Sequence, residues 1–517
     1  MKILFFPIYI TTPHYETELE LMLSHLMKGD EVFLVRCTGY LKTCFNNFLS
    51  KKSQCDLCRS ILKTGLDAIG FPEKNIIKLP IKNKDIEPVP ATFKDIQELI
   101  NFNYDGMSLG RVSAANLTFY LNYDHKLNTV RYKNVVSKVL HNTITIYSGM
   151  LQILKKIAPD LVYIFNGRFA QSGAVRFACE KMGIHYITHE RGGALDRYYL
   201  RRDALAHEIK ITAKEIKDTW DNSTEDKVPI GEQWFIERRG GAGHGWYSYI
   251  KNQIDEALPK NFDETKTNIG IFNGNIEETF TIEGLRNPIY PTEDEAIEDV
   301  AREFQPEQGI HLYLRTHPHL SGKNNSQTRD LKRIAESFTN LTVIPPESSI
   351  HSYTLLDHCD RILVFGSTIG VEACYWNKPV ILNGRSFYED LDCAYIPRTR
   401  EELMELIRSD LPPKDREGAL KYGYWEKRKG IPYRFYKAIN VTRGTFLGRT
   451  IKATRLAILK SNFRFVFFEI ENLEDIKYRI VAGLKKVKDL VHGVKFSSNP
   501  LFMVQNSSGG MGKLKFN

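Results

Sequence analysis

Long apolar runs are missing from this sequence. No stretch of its 517 residues reaches the roughly eighteen consecutive apolar residues that a membrane-spanning helix needs. The opening run from Met1 to Phe6 is cut short by Pro7 and soon followed by acidic residues, unlike a secretory signal. The chain has only eight cysteines, which gives no disulfide framework in a protein of this length. We therefore expect an intracellular, cytoplasmic protein.

The first 440 residues have no net charge. They contain 57 Lys+Arg and 57 Asp+Glu, whereas residues 441–517 contain 14 and 5, so this last segment carries the whole formal excess of +9. An enzyme that acts on nucleic acid usually carries its positive charge on the catalytic body. The neutral body therefore argues against a nucleic-acid partner, and the basic end needs its own explanation.

Glycine patterns of the Walker or dinucleotide-binding type are also absent, and the glycine-rich loop at 240–245 fits neither. The chain instead alternates apolar strands with helices. Residues 2–10 are predicted as a strand, 16–28 as a helix and 31–37 as a second strand, and 161–188 form another strand–helix–strand unit. This alternation is typical of a doubly wound α/β domain.

A second series of strands and helices begins near Asn268, and the pattern continues to Leu382. We predict an α/β protein with two Rossmann-like domains that face a cleft. The expected boundaries are 1–262 for the first domain with its connection, 263–440 for the second domain, and 441–517 for a basic helical tail.

The first domain has candidate catalytic residues at two predicted strand ends. His14 lies in the loop after the first strand, near Glu16, and His189 and Glu190 directly follow strand 184–188. Ligands of doubly wound sheets bind at the carboxyl ends of the strands. A carboxylate or an imidazole there can accept a proton from a substrate hydroxyl. The alternatives are an incidental surface histidine and a surface ion pair of Glu190 with Arg191.

Four cysteines lie close together in the first domain, at positions 37, 44, 55 and 58. Cys55 and Cys58 form a Cys-x-x-Cys pair, which can present two sulfurs to one zinc ion. Cys37 and Cys44 lack that tight spacing, so merely buried thiols remain an alternative. A redox Cys-x-x-Cys is a third interpretation, but the pair lacks the expected βαβ context.

Polar loops follow three predicted strands of the second domain. An arginine can form a forked contact with a phosphate, a histidine can donate to it, and the free amides at a helix start favour an anion. A glutamate one turn into such a helix can accept hydrogen bonds from sugar hydroxyls. The alternative is an ordinary βαβ unit whose serine caps the helix. The candidate binding residues are Asn275, Arg315, His317, Pro318, Ser367, Thr368, Gly370 and Glu372.

These motifs resemble those of the bacterial capsule and lipopolysaccharide glycosyltransferases with two Rossmann domains, the GT-B architecture. The chain looks most similar to the capsule polysaccharide biosynthesis group that includes Kdo transferases. The resemblance rests on Arg315-x-His317-Pro318, the segment from Ser367 to Ala373, and Lys378-Pro379. It implies that His317-Pro318 and the Ser367-Thr368 helix start hold the donor phosphate, and that the first domain presents the acceptor. It also implies a return of the chain to the first domain near 421–436.

The resemblance implies transfer of a sugar from a nucleotide-sugar donor to a glycan or lipid-linked glycan of the cell surface, without a metal ion or another cofactor. A UDP-sugar 2-epimerase and a non-catalytic assembly protein of the same fold remain as alternatives. The tail has apolar residues spaced by three and four between Leu473 and Val494, with lysines around them. We expect it to bind the inner face of the membrane, and the alternative is a helix docked on the body.

Overall fold

The computed structural model describes residues 1–468 except 40, 42, 81–88, 91, 122–125, 245–247, 249, 251, 252, 255, 283, 306 and 308. The chain divides into two compact units. Unit 1 comprises Met1–Asn116, Asn128–Ala206 and Gly430–Asn517, and unit 2 comprises Leu117–Leu127 and His207–Lys429. The divisions therefore fall at other positions than the expected 262 and 440, and the chain returns to unit 1 at Gly430.

Unit 1 is built on a seven-stranded sheet with the order β12-β6-β5-β4-β1-β2-β3. The five strands from β5 to β3 are parallel to one another. At one edge, β6 pairs antiparallel with β5, and β12 pairs antiparallel with β6. Strands β13 and β14 form a separate hairpin. The strands are β1 (Lys2–Phe5), β2 (Glu31–Arg36), β3 (Ile76–Lys78), β4 (Leu161–Phe165), β5 (Tyr186–Arg191), β6 (Arg197–Arg202), β12 (Ile431–Pro432), β13 (Tyr436–Asn440) and β14 (Arg443–Phe446).

Helices connect these strands, and the last residues of α4 already belong to unit 2. Helix α6 ends where Gly183 adopts φ +65, a left-handed conformation that glycine takes without strain. The helices are α1 (His14–Met27), α2 (Lys52–Ala68), α3 (Ile96–Ile100), α4 (Leu109–Leu121), α5 (Lys133–Ile157), α6 (Ala170–Met182) and α16 (Arg455–Phe468).

Unit 2 contains a five-stranded sheet, all parallel, with the order β11-β10-β7-β8-β9. Its strands are almost continuously apolar because helices cover both faces of such a sheet. The strands are β7 (Thr267–Phe272), β8 (Ile310–Arg315), β9 (Leu341–Ile344), β10 (Arg361–Val364) and β11 (Val380–Leu382). The helices are α7 (Ile209–Asp221), α8 (Lys227–Arg239), α9 (Ile276–Thr279), α10 (Glu293–Phe304), α11 (Ser326–Ser337), α12 (Ser352–His358), α13 (Ile369–Tyr375), α14 (Arg400–Arg408) and α15 (Glu417–Arg428).

Each unit thus has a doubly wound α/β sheet, which confirms the predicted fold class. In both sheets the chain first winds to one side of the first strand and then crosses to the other side. The crossover leaves a switch point between β1 and β4 in unit 1 and between β7 and β10 in unit 2. Ligands of such sheets bind at the carboxyl ends of the strands beside this point.

Residues 441–468 fold as part of unit 1. Phe446, Ile451 and Ala453 are buried in the same core as residues of β1 and α1. The backbone amide of Thr454 donates to the Oγ of Ser60 on α2 at 3.0 Å. Only the part after residue 468 remains as a predicted tail, and its apolar positions from 473 to 494 lie outside the described residues. None of the described helices combines the length and the apolar content that crossing a bilayer requires.

Candidate functional site

The switch point of unit 1 brings together the three residues that the sequence singled out as catalytic. Strand β4 lies between β1 and β5, so the loops that follow these strands meet at one edge of the sheet. His14 begins α1 after the β1 loop, and His189 and Glu190 lie in the last half of β5. The Nδ1 of His14 lies 3.7 Å from Oε1 of Glu190. Their side chains are 12% and 18% exposed, so both remain accessible at this edge.

Two neighbours orient the Glu190 carboxylate. The side-chain amide of Asn166, directly after β4, donates to Oε2 at 2.8 Å. The backbone amide of Arg191 donates to Oε1 at 3.0 Å. Asn166 has φ +57, a conformation in which asparagine is common among non-glycine residues. These bonds fix the position of the Glu190 carboxylate relative to His14.

A second layer of titratable groups lies beneath this pair. The Oε1 of Glu18 lies 3.3 Å from Nε2 of His189, and both side chains are buried. Glu16 accepts a hydrogen bond from Oγ1 of Thr12 at 2.8 Å. Among the described residues, neither Oε2 of Glu16 nor Oε2 of Glu18 has a hydrogen-bond partner. His189 is therefore a buried partner of Glu18, and its predicted place at the reacting atoms does not fit this burial.

Burial shifts the pKa values of His14, Glu16 and Glu18 at this edge of the sheet. It lowers the pKa of His14 to about 3, although the nearby Glu190 carboxylate opposes the change. It raises the pKa of Glu16 to about 7, against the stabilising bond from Thr12. It also raises the pKa of Glu18, partly offset by His189. At neutral pH, His14 is accordingly an uncharged imidazole.

In unit 2, the ends of three adjacent strands are in register. Phe272 of β7 pairs with Val364 of β10 on one side and with Arg315 of β8 on the other. The loops that follow these three residues therefore meet at the carboxyl edge, as the sequence predicted. Asn273 links two of the loops, because its Oδ1 accepts the backbone amide of His317 at 3.0 Å.

Arg315 does not present its guanidinium to a ligand in this structure. Its Nη1 donates to the carbonyl of Pro345 at 2.5 Å, and its Nη2 donates to the carbonyl of Ser348 at 3.2 Å. The residue is buried, and this burial lowers the pKa of Arg315 to about 10 despite the attraction of Glu347. In this structure Arg315 thus holds loop 345–348 against β8, and its role in phosphate binding stays a prediction.

His317 follows β8 by two residues and is half-buried. Its Nδ1 accepts the backbone amide of His319 at 3.2 Å. The neutral imidazole therefore carries its hydrogen on Nε2, which can donate to a phosphate oxygen. Pro318 begins a short 3-10 helix (Pro318–Leu320) and fixes the chain direction after His317. Asn275 is buried and occupies the position directly before α9, at the end of the neighbouring loop.

The turn before α13 is shaped by glycine and closed by a tyrosine. Gly366 has φ +111, and a Cβ there would approach the Arg385 carbonyl to 2.6 Å, so only glycine fits. The Tyr388 hydroxyl donates to the Ser367 carbonyl at 2.7 Å. Ser367 and Thr368 are half-buried at the start of α13. Gly370 serves packing, because a Cβ there would overlap the Tyr388 hydroxyl.

Glu372, the expected sugar-binding carboxylate, is instead enclosed. It is 1% exposed, with Oε1 at 2.9 Å from Nη2 of Arg238 and Oε2 accepting from the hydroxyl of Tyr353. The same Nη2 of Arg238 donates to Oγ1 of Thr368 at 3.4 Å. Burial alone would lower the pKa of Arg238, but the Glu372 carboxylate raises it above its ordinary value. Glu372 therefore ties α13 to α8, and at 1% exposure its carboxylate is enclosed by protein.

The structure gives no support to the zinc hypothesis. Within the described part of the chain, no three His, Cys, Asp or Glu side chains are arranged to hold a metal ion. The four thiols at 37, 44, 55 and 58 are unoxidised. Burial raises the pKa of Cys58 to about 12 and also raises the pKa of Cys37.

Asn166 and Arg238 were not singled out in the sequence. Asn166 had a local signal, since it directly follows a clear strand end. Arg238 had none, because its partner Glu372 is 134 positions away and sequence spacing does not reveal such pairs.

Residues 248–391 match the family model described as capsule polysaccharide biosynthesis protein. This segment contains both the Arg315-to-Pro318 motif and the Ser367-to-Glu372 motif. The resemblance predicted from these motifs is confirmed for this part of unit 2. The chain has no match among the curated proteins.

Several solved structures are similar to this chain at low identity. The KpsC β-Kdo 2,4-transferase of Thermosulfurimonas dismutans has 15% identity and a TM-score of 0.34, over 52% of this chain and 87% of that chain. The β-Kdo 2,7-transferase of the same KpsC has 13% identity and a TM-score of 0.33, over 61% and 89%. The UDP-GlcNAc 2-epimerase of Neisseria meningitidis has 13% identity and a TM-score of 0.27, over 82% and 98%. Similarities of this size do not assign an activity.

Proposed function

We propose that the protein is a glycosyltransferase that moves a sugar from a nucleotide-sugar donor onto a growing cell-surface glycan. The observation that carries the proposal is the match of residues 248–391 to the capsule polysaccharide biosynthesis family. The matched segment supplies the polar groups at the carboxyl edge of the unit 2 sheet. Assembly of such a polysaccharide requires the formation of glycosidic bonds, and nucleotide sugars are the usual donors.

The proposed donor site consists of the His317 imidazole and the turn at Ser367 and Thr368. The Nε2 hydrogen of His317 would donate to a phosphate oxygen, and the hydroxyls of Ser367 and Thr368 would add two further donors. Hydrogen-bond donors fixed where negative charge develops stabilise a leaving phosphate without rearranging. The proposal gives no step to a metal ion, and it omits Arg315 and Glu372 because other residues already bind their charged groups.

The proposed general base is Glu190 in unit 1. Its carboxylate would take the proton of an acceptor hydroxyl as that oxygen bonds to the sugar and the nucleotide departs with the electrons of the broken bond. His14 suits this task less, since a pKa of about 3 makes it a weak proton acceptor at neutral pH. As a neutral imidazole 3.7 Å from Glu190, it can instead position the acceptor hydroxyl.

A thermal-shift screen of the full chain against CMP-, UDP-, GDP- and CDP-sugars tests the proposal. We expect one nucleotide class to raise the melting temperature, and nucleotide release from that donor to depend on an added glycan acceptor. Conversion of the donor to another nucleotide sugar without an acceptor would identify an epimerase. Absence of binding and turnover throughout the panel would identify an assembly protein and refute the transferase.

A further inference from the structure

The segment from Gly430 to residue 468 contains no acidic residue. It holds eight basic ones, all within unit 1, and seven of these are exposed while Arg464 is half-buried. The chain as a whole has 62 acidic residues, so this uniform sign is a local property. The basic residues are Arg434, Lys437, Arg443, Arg449, Lys452, Arg455, Lys460 and Arg464.

Helix α16 in this segment is fixed to unit 1 by one of its faces. Ser461 and Phe465 are buried on this face. The Lys51 ammonium lies 4.9 Å from the centre of the Phe465 ring, and Nε of Arg464 lies 3.4 Å from Oδ2 of Asp56 on α2. These contacts determine which side of α16 turns outward.

The outward side of α16 carries two leucines between basic side chains. Leu456 is 77% exposed and Leu459 is 66% exposed, and the two lie three positions apart, hence on one side of the helix. Arg455 and Lys460 flank them, and Lys452 precedes the helix. Among the described residues, none of these three basic groups has an acidic partner within 4.0 Å. We call these five residues the basic–apolar face.

Two large aliphatic side chains exposed side by side usually mark a binding surface, because water solvates them poorly. The basic groups around them restrict the partner to one that is negatively charged and also apolar just below its surface. An anionic bilayer has this layered chemistry, and interfacial helices present leucines between lysines and arginines to it. We propose that the basic–apolar face docks unit 1 on an anionic lipid surface. This inference goes beyond the proposed glycosyl transfer and does not depend on it.

Co-sedimentation of the full chain with vesicles tests the inference. The vesicles contain phosphatidylcholine alone or phosphatidylcholine with phosphatidylglycerol. Wild type should bind the anionic vesicles, and it should bind less at about 1 M than at about 0.1 M salt, because the Debye length falls from about 10 Å to about 3 Å. A basic residue near such a surface contributes about fivefold in binding constant.

Two variants separate the charged from the apolar part of the face. Lys452→Glu with Arg455→Glu and Lys460→Glu should weaken binding by about 100-fold or more. Leu456→Ser with Leu459→Ser should weaken it by about tenfold or more while leaving the salt dependence in place. The matched control is Met27→Ser with Val130→Ser, two exposed apolar residues of unit 1 outside this face, and it should bind as wild type.

Each alternative result has a definite meaning. If the charge variant and the leucine variant both bind anionic vesicles as tightly as wild type, the inference is overturned, since docking would then use another part of the chain. Failure of wild type to bind anionic vesicles would also overturn it and would favour an acidic protein as the partner. Unchanged melting temperatures are expected for all variants because the substituted side chains are exposed.

Discussion

Glu16 is a carboxyl group that the fold buries, and the Thr12 hydroxyl and the charge of Arg191 only partly offset this burial. Burial raises its pKa from 4.5 to about 7. The unfolded chain therefore loses this proton near pH 4.5, whereas the folded protein keeps it to about pH 7. Since the folded state binds more protons in this window, the Glu16 contribution to the free energy of unfolding falls as pH rises from about 4.5 to about 7.

Glu16→Gln should abolish this decline. The amide keeps an oxygen for the Thr12 hydroxyl but never ionises. At pH 8, the variant should be more stable than wild type by up to about 3 kcal/mol, and at pH 4 the difference should vanish. Urea unfolding at both pH values measures this difference in stability. His14 and Glu293 also have shifted pKa values, but both residues are present in the variant and in wild type, so their contributions cancel in the comparison. A stability difference that does not change with pH would show that Glu16 is not the group responsible.

The sequence identified Arg315 as a side chain able to bind an anion, but it did not show that its guanidinium binds the carbonyls of Pro345 and Ser348. Arg315→Ala should remove its hydrogen bonds to the carbonyls of Pro345 and Ser348, at a cost of about 0.5–1.5 kcal/mol for each bond, because Pro345 is exposed and Ser348 half-buried, so water can replace the lost donors. We expect a lower midpoint of thermal unfolding. His317→Ala is the matched control, because His317 is half-buried and should lose little stability. Arg315→Ala as stable as wild type would return the guanidinium to the ligand-binding role.

At the scale of elements, α8 and α13 are joined by one buried ion pair. Arg238→Met should destabilise unit 2 by about 3 kcal/mol, since the enclosed Glu372 carboxylate would keep only the Tyr353 hydroxyl. In a Glu372→Gln background, the same change should cost at least about 1 kcal/mol less. Urea unfolding of the four proteins completes the cycle. Strictly additive effects would mean that the two side chains do not interact.

Most elements could be predicted from apolar patterns, and the exceptions have physical causes. β2 covers 31–36 where 31–37 was predicted, because short apolar runs bounded by turn residues identify buried strands well. Residues 6–10 were predicted as strand, but β1 ends at Phe5. Pro7 lacks the amide hydrogen that strand pairing needs, and residues 6–10 are nevertheless buried, so hydrophobicity alone could not distinguish this loop from a strand.

Strand ends gave the candidate sites more reliably than residue types did. His14, Glu190 and His317 were singled out because they lie at or near predicted strand ends, and the sheets bring the expected loops to one edge in each unit. Arg315 and Glu372 also follow or face such ends, yet their charged groups bind protein atoms. A sequence shows which groups can bind an anion or a sugar, but it does not show which of them the fold has already paired.

At the scale of the whole molecule, the chain leaves unit 1, builds unit 2 and returns at Gly430. The resemblance predicted this return near 421–436. Charge counting did not predict that residues 441–468 continue the fold, because an excess of lysine and arginine is compatible both with a free tail and with a packed hairpin and helix. The hairpin β13–β14 has its basic side chains exposed, while Phe446 enters the core.

The central claim is that unit 2 binds a nucleotide sugar through His317 while Glu190 of unit 1 performs proton transfer. Calorimetric titration of the donor found in the screen, into wild type, His317→Ala and Glu190→Gln, tests it most directly. His317→Ala removes a charge-assisted hydrogen bond that contributes about 1.5–3 kcal/mol, so this variant should bind the donor about 10-fold or more weakly than wild type. Glu190→Gln should bind the donor as tightly as wild type, because its role is confined to turnover. Equal donor affinity of His317→Ala and wild type would contradict the account.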